Sequence, residues 1–234
     1  MTTLTNWQAR FEQWLTINWQ HNDKAHDIAH LKRVWATAQK ILKEETTANE
    51  LVVMTACYFH DIVNLPKNHP ERHLASTYAA KQTLQILQAD FADFPVLDYP
   101  AVAHAVRSHS FSAGIAAESL EAKIVQDADR LESLGAIGLA RVFYTSGALE
   151  RALFDPDDPF ANHRQLDDRR WTLDHFQQKL LKLPATMHTP AGRRMAKYNM
   201  AFMIEYMAKL SSELQGELEQ VDNAVYQHFM AKIE

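Results

Sequence analysis

The chain has 234 residues, enough for one large domain with a substantial buried core. Its 24 Lys and Arg against 29 Asp and Glu leave a net charge of -5, which argues against an extended nucleic-acid surface. Cys57 is the only cysteine, so no internal disulfide can form, and it sits in an apolar run as a structural thiol. The apolar runs fall short of the roughly 20 residues that span a bilayer, and the first residues lack a basic-then-apolar leader. A cytoplasmic protein without membrane attachment is expected.

In chain order, Trp7, Phe11, Trp14 and Leu15 stripe a first helix, and Ile28, Leu31, Val34, Trp35, Ala38, Ile41 and Leu42 stripe a second. Thr47-Ala-Asn-Glu50 has the form of a capping box opening a third helix, which runs through Leu51–Phe59 to His60 and Asp61. Further helices are predicted over about 71–88, 99–109, 117–129, 131–149 and 173–183, with a long one over about 190–210. The Pro- and Asp-rich stretch at 155–170 reads as a surface loop. With six glycines and little strand-like alternation, the fold class is all-α, a single domain over 1–234, with 155–170 marking where a subdomain edge would fall.

His60-Asp61 ends an almost unbroken apolar run, where an ionised carboxylate is costly unless a charge or metal compensates it. Adjacent imidazole and carboxylate groups can share a divalent cation. His26-Asp27-Ile-Ala-His30 precedes this pair and Ile124-Val-Gln-Asp127-Ala-Asp129 follows it, so three helical segments offer His, His-Asp and Asp. The His26/His30 spacing also evokes the zinc-protease HExxH pattern. Asp27 is one methylene shorter than the glutamate of that motif and reaches a water poorly, and no third ligand of the motif follows.

HxxRV at His30–Val34, HD at His60-Asp61 and the later Asp129 resemble the HD-domain metal-dependent phosphohydrolase superfamily. Ala105-Val-Arg-Ser-His109-Ser-Phe-Ser, the segment from Ile124 to Arg141, and Leu173-Asp-His-Phe through Pro184 resemble its bacterial YedJ-type branch. The resemblance implies an all-α HD-type helical bundle with a long C-terminal helix and the metal ligands His30, His60, Asp61 and Asp129. It also implies hydrolysis of a phosphoester or phosphoanhydride in a phosphorylated small molecule, with a nucleotide as the expected substrate.

One position departs from the family. Several of its nucleotidases carry an acidic residue three positions after the HD aspartate, and this chain has Asn64 there. An amide orients water but cannot take its proton, so Asp27 becomes the candidate base, or else an orienting partner for an imidazole. Arg33, Lys67, His104 and His109 are the candidate phosphate contacts, with Arg72 and Arg130 as further cations. The donor set suits one divalent transition metal (Mn, Fe, Co, Ni or Zn), with Mg accompanying the substrate as an option. The competing classes are a non-catalytic HD module that senses a nucleotide or metal, and an HD oxygenase needing iron and a second metal. Either a monomer or a homodimer is compatible with the sequence.

Overall fold

The computed structural model describes residues 2–19, 27–65, 69–110 and 113–233. His26 and Lys67 lie outside the described residues. The fold is all-α, and among the described residues the β-pairing consists of one isolated bridge, Ala152 to Trp171. Among the described residues, no helix is long and apolar enough to cross a membrane. The chain divides into two compact units, Met1–Asp129 and Arg130–Glu234. The division falls near the end of one helix, and the 155–170 loop lies wholly inside the second unit.

The first unit contains α1 (Leu4–Asn18), α2 (Ile28–Leu42), α3 (Glu50–Phe59), α4 (Ala75–Asp90), α5 (Tyr99–Ser108) and most of α6 (Leu120–Leu131). The apolar stripe of α1 buries Trp7, Phe11 and Leu15, and Phe11 packs its ring against Tyr58, Phe59 and Phe91. Trp14 is instead half-exposed and donates its indole N–H to Asp90. Helix α3 is buried from Val52 to Phe59, so its continuous apolar run is a helix enclosed on all sides. Its cap is Asn49, not Thr47. The Asn49 carboxamide accepts from Leu51 and Val52, donates to Asp98 before α5, and its backbone N–H meets Glu121 of α6. Asparagine makes the two capping bonds and the Asp98 bond through one short carboxamide, oxygen accepting and nitrogen donating.

Helix α2 begins only at Ile28, because Asp27 caps it by accepting the His30 N–H at 2.9 Å. The face expected to be shared by His26 and His30 involves His26, which lies outside the described residues.

The second unit contains α7 (Gly135–Ala148), α8 (Thr172–Gln178), α9 (Pro190–Leu214) and α10 (Asn223–Met230), the last not anticipated from the sequence. Phe143, Phe176 and Tyr206 form its aromatic centre. The 155–170 loop is ordered by its own carboxylates. Asp155 accepts from the backbone of Asp157 and Asp158, Asp158 from Asn162 and His163, and Arg164 grips the fully buried Asp174 through two nitrogens at 2.6 and 2.8 Å. Two glycines of α7 face different constraints. A Cβ on Gly138 would stand 2.3 Å from the Ser133 carbonyl oxygen, whereas one on Gly147 would meet nothing within 4 Å.

These glycines separate crowding from backbone entropy within a single helix. Gly138→Ala should lose roughly 1–3 kcal/mol through overpacking against rigid backbone. Gly147→Ala should gain about 0.5–1 kcal/mol. Urea unfolding of both variants checks this, and equal effects would show that the Ser133 contact does not limit packing.

Candidate metal centre

The ligand-type residues arrive on the ends of helices. His30 is in the first turn of α2, His60 is the C-cap of α3, His109 the C-cap of α5, and Asp129 lies in the last turn of α6. Asp61 follows His60 directly. The His30 Nε2 lies 3.3 Å from the His60 Nε2, 3.6 Å from Asp61 Oδ2 and 3.5 Å from Asp129 Oδ1. The His60 Nε2 is 3.4 Å from Asp61 Oδ2 and 3.7 Å from Asp129 Oδ1. Metal ligands sit about 2.0–2.2 Å from a cation, so donor atoms sharing one are spaced much like these.

Hydrogen bonding fixes which nitrogens face inward. The His60 Nδ1–H donates to the Cys57 carbonyl at 2.9 Å, and the His109 Nδ1–H donates to the Val106 carbonyl at 2.6 Å. A carbonyl only accepts, so each Nδ1 holds the proton and the neutral ring directs a lone pair from Nε2 into the cluster. Both carbonyls belong to the last turn of a helix, where four C=O groups lack helical partners. The same bond thus satisfies a helix end and prepares a ligand. Those two helix C-termini also carry partial negative charge, which favours a cation.

His30 and His60 are completely buried, whereas the side chains of Asp61 and Asp129 are 17 and 25 % exposed, so the carboxylates form the open side. Burial would depress the His60 imidazole, but Asp61, Asp129 and the Cys57 carbonyl reverse that and raise it to about 9. Burial likewise opposes ionisation of Asp61 and Asp129. The imidazoles win, led by His60 in both cases, and hold both carboxyls below the ordinary range. The donor chemistry fits a divalent metal: two carboxylates and inward-facing imidazole nitrogens, with His30, His60 and Asp61 forming one compatible group and His60, His109 and Asp129 another.

The remaining residues distribute unevenly. His109, expected at a phosphate, is brought to the ligand cluster, with Nε2 3.6 Å from Asp61 Oδ1. His104 turns elsewhere: its Nε2 accepts the Glu118 N–H at 3.1 Å and braces the segment before α6. The two differ because His109 sits at the helix end and His104 one turn and more earlier. Arg33 is half-buried on α2, one turn from His30. Asn64 is half-buried in the coil after Asp61, and Arg72 donates to the Leu65 carbonyl at 2.5 Å, bracing that coil. Arg130 donates to the Thr186 carbonyl within the second unit. Asp127 is fully buried yet belongs to neither ligand group. Asp27 serves as the α2 cap, so its carboxylate orients the His30 backbone. Gln126, not singled out from sequence, donates to the Ser108 carbonyl at 2.6 Å and seats the α5 end that bears His109.

Comparison with known proteins agrees with this geometry. Residues 27–134 match the HD domain family, a span containing all five clustered side chains. This stretch is similar to an HD domain. It is also 28% identical over 207 residues to the uncharacterized protein YpgQ of Bacillus subtilis (strain 168), covering 87% of this chain and 91% of that protein. The crystal structure of Bacillus subtilis YpgQ in complex with ADP aligns at a TM-score of 0.67 with 28% identity, over 91% of this chain and 97% of that one. An HD-superfamily hydrolase from Bacillus thuringiensis aligns at 0.68 with 26% identity, over 91% and 99%.

A pH series follows from the His60 environment. In the metal-free protein its raised pKa contributes stability that is fully present below about 6.5 and lost as pH rises through about 9. A metal needs the neutral imidazole, so apparent metal affinity climbs over that same interval. The apo Tm should therefore fall between pH 6.5 and 9 while the gain in Tm on adding Mn or Co grows. A metal-induced gain that is flat with pH would remove His60 from the ligand set. Separately, Asp27→Ala should cost about 1 kcal/mol through the lost cap, and Asp127→Ala should retain metal where Asp61→Ala and Asp129→Ala lose it, as read by metal content of the folded proteins.

Proposed function

We propose that this protein is a metal-dependent phosphohydrolase that cleaves a phosphoester or phosphoanhydride bond of a nucleotide. The observation that carries the reading is the convergence of His30, His60, Asp61 and Asp129, with donor atoms 3.3–3.7 Å apart and the carboxylates on the accessible side. These four residues would hold one divalent transition metal, with His109 at its edge beside Asp61 Oδ1. A metal bound there supplies Lewis acidity toward a phosphoryl oxygen and lowers the pKa of a coordinated water toward about 7.

The chain's own groups account for orientation and charge. The Cys57 and Val106 carbonyls lock the imidazoles, so the inward nitrogens need no reorganisation. Asp61 and Asp129 stay ionised and preserve the cation-binding field. Asn64, braced through the Leu65–Arg72 bond, orients water through its amide without taking a proton. Arg33 and Lys67 neutralise phosphate, Arg33 as a planar fork and Lys67 as a point charge. The nucleotide assignment is supported by the ADP complex of the Bacillus subtilis relative.

Release of phosphate and pyrophosphate across a panel of nucleoside mono-, di- and triphosphates and simple phosphoesters, with Mn, Co, Ni, Zn or Mg, tests the proposal. Turnover of at least one nucleotide is expected, and Asp129→Asn should lower it by two orders of magnitude or more. Metal binding with no hydrolysis anywhere on the panel would replace this reading with a nucleotide- or metal-sensing module.

A further inference from the structure

Helix α1 carries no ligand-type residue of the cluster, yet one of its side chains grips the two helices that deliver His30 and His60. Glu12 Oε1 accepts from the Tyr58 hydroxyl at 2.6 Å and from the Gln8 carboxamide at 3.0 Å, and its Oε2 meets the Lys32 ammonium at 2.8 Å. Gln8 extends the connection, since its Oε1 accepts the Trp35 indole N–H at 3.2 Å. Three helices therefore meet at one carboxylate.

The sequence positions make that meeting consequential. Lys32 is two residues after His30 on α2, and Tyr58 two residues before His60 at the end of α3. At 100° per residue each pair points to opposite faces of its helix. Glu12 thus holds the backs of α2 and α3, while their fronts bring His30 Nε2 and His60 Nε2 to 3.3 Å. Tyr58 is completely buried and packs in a tilted arrangement against the α1 ring Phe11, so its hydroxyl is delivered by a fixed ring. Ligand distances in a working metal site tolerate only about 0.2 Å, which a small slide of one packed helix on another exceeds.

We propose that Glu12 is a positioning residue for the metal centre, setting the spacing of α2 and α3 and with it the separation of the His30 and His60 donors. The role rests on the metal-site reading above but not on the identity of the substrate. It differs from ordinary surface ion pairing on the same helix. Arg10 and Asp93 make a bidentate pair at 2.7 and 2.8 Å that ties α1 to the segment after α4 and touches neither α2 nor α3.

Cobalt(II) is the probe, with affinity from competition titration and ligand geometry from the visible d–d absorption of the loaded, folded protein. Glu12→Ala should weaken cobalt binding about tenfold and shift the absorption band. Tyr58→Phe and Lys32→Met each cut one arm and should give smaller shifts in the same direction, keeping the test open if Glu12→Ala fails to fold. Asp93→Asn should leave both readings at wild type. Wild-type affinity and spectrum in Glu12→Ala, or in both single-arm variants, would overturn the positioning role alone. An equal change in Asp93→Asn would overturn it as well, reducing the effect to general loosening of α1. Wild-type protein that takes up no cobalt would overturn the metal reading together with it.

Discussion

Asp61 and Asp129 share a small volume with His30, His60 and His109, whose rings are buried at helix ends. Carboxylates so close repel one another, and unprotonated imidazole nitrogens at 3.3 Å turn lone pairs toward each other. Only a positive charge between them relieves both conflicts. In the metal-free chain protons supply it, and His60 is accordingly raised to about 9. A divalent cation supplies it more completely, since it satisfies every donor at once. The architecture of the first unit can be read as the means of keeping this unfavourable gathering of groups in place.

That holding is done with little dedicated polar material. Most of it is the aromatic and aliphatic packing of α1, α3 and the segment after α4, where Trp7, Phe11, Phe59, Phe91 and Phe94 interlock. Rigid packing of this sort resists the small relaxations that would let the donors drift apart. Polar links are then placed where helices end or cross: Asn49 at the start of α3, Asp27 at the start of α2, Gln126 against the end of α5, and Glu12 behind α2 and α3.

Much of this was legible beforehand. The apolar stripes located α1 and α2, and the prolines and turn residues bounded α4, α5 and α9 to within a few residues. His60 and Asp61 stood out because ionisable residues ending an apolar run are unusual, and His30 and Asp129 completed the set through the resemblance to the HD-domain superfamily. What escaped notice depends on geometry that spacing cannot carry. His104 and His109 look alike in sequence, but only the latter caps a helix and turns inward. Asp27, read as a candidate base or an imidazole-orienting partner, also caps α2, since a carboxylate just before a helix is drawn to its free N–H groups. Asn49 displaced Thr47 because its carboxamide, besides capping α3, found a partner in Asp98 just before α5, a contact more than forty residues away. Glu12 reads as one more solvent-facing charge until α2 and α3 fold against it.

The bonds from His60 to the Cys57 carbonyl and from His109 to the Val106 carbonyl have a further implication for how such a site diversifies. The partner of each imidazole is main chain, so the side chains at 57 and 106 are at liberty to change with the demands of the core. The orienting element is then inherited with the helix terminus rather than with any letter of the sequence. A search for substitutions that track these histidines would find none at their actual partners. Insertion or deletion of one residue in the final turn, by contrast, would rotate the carbonyl away and disarm the ligand while leaving every recognisable motif intact.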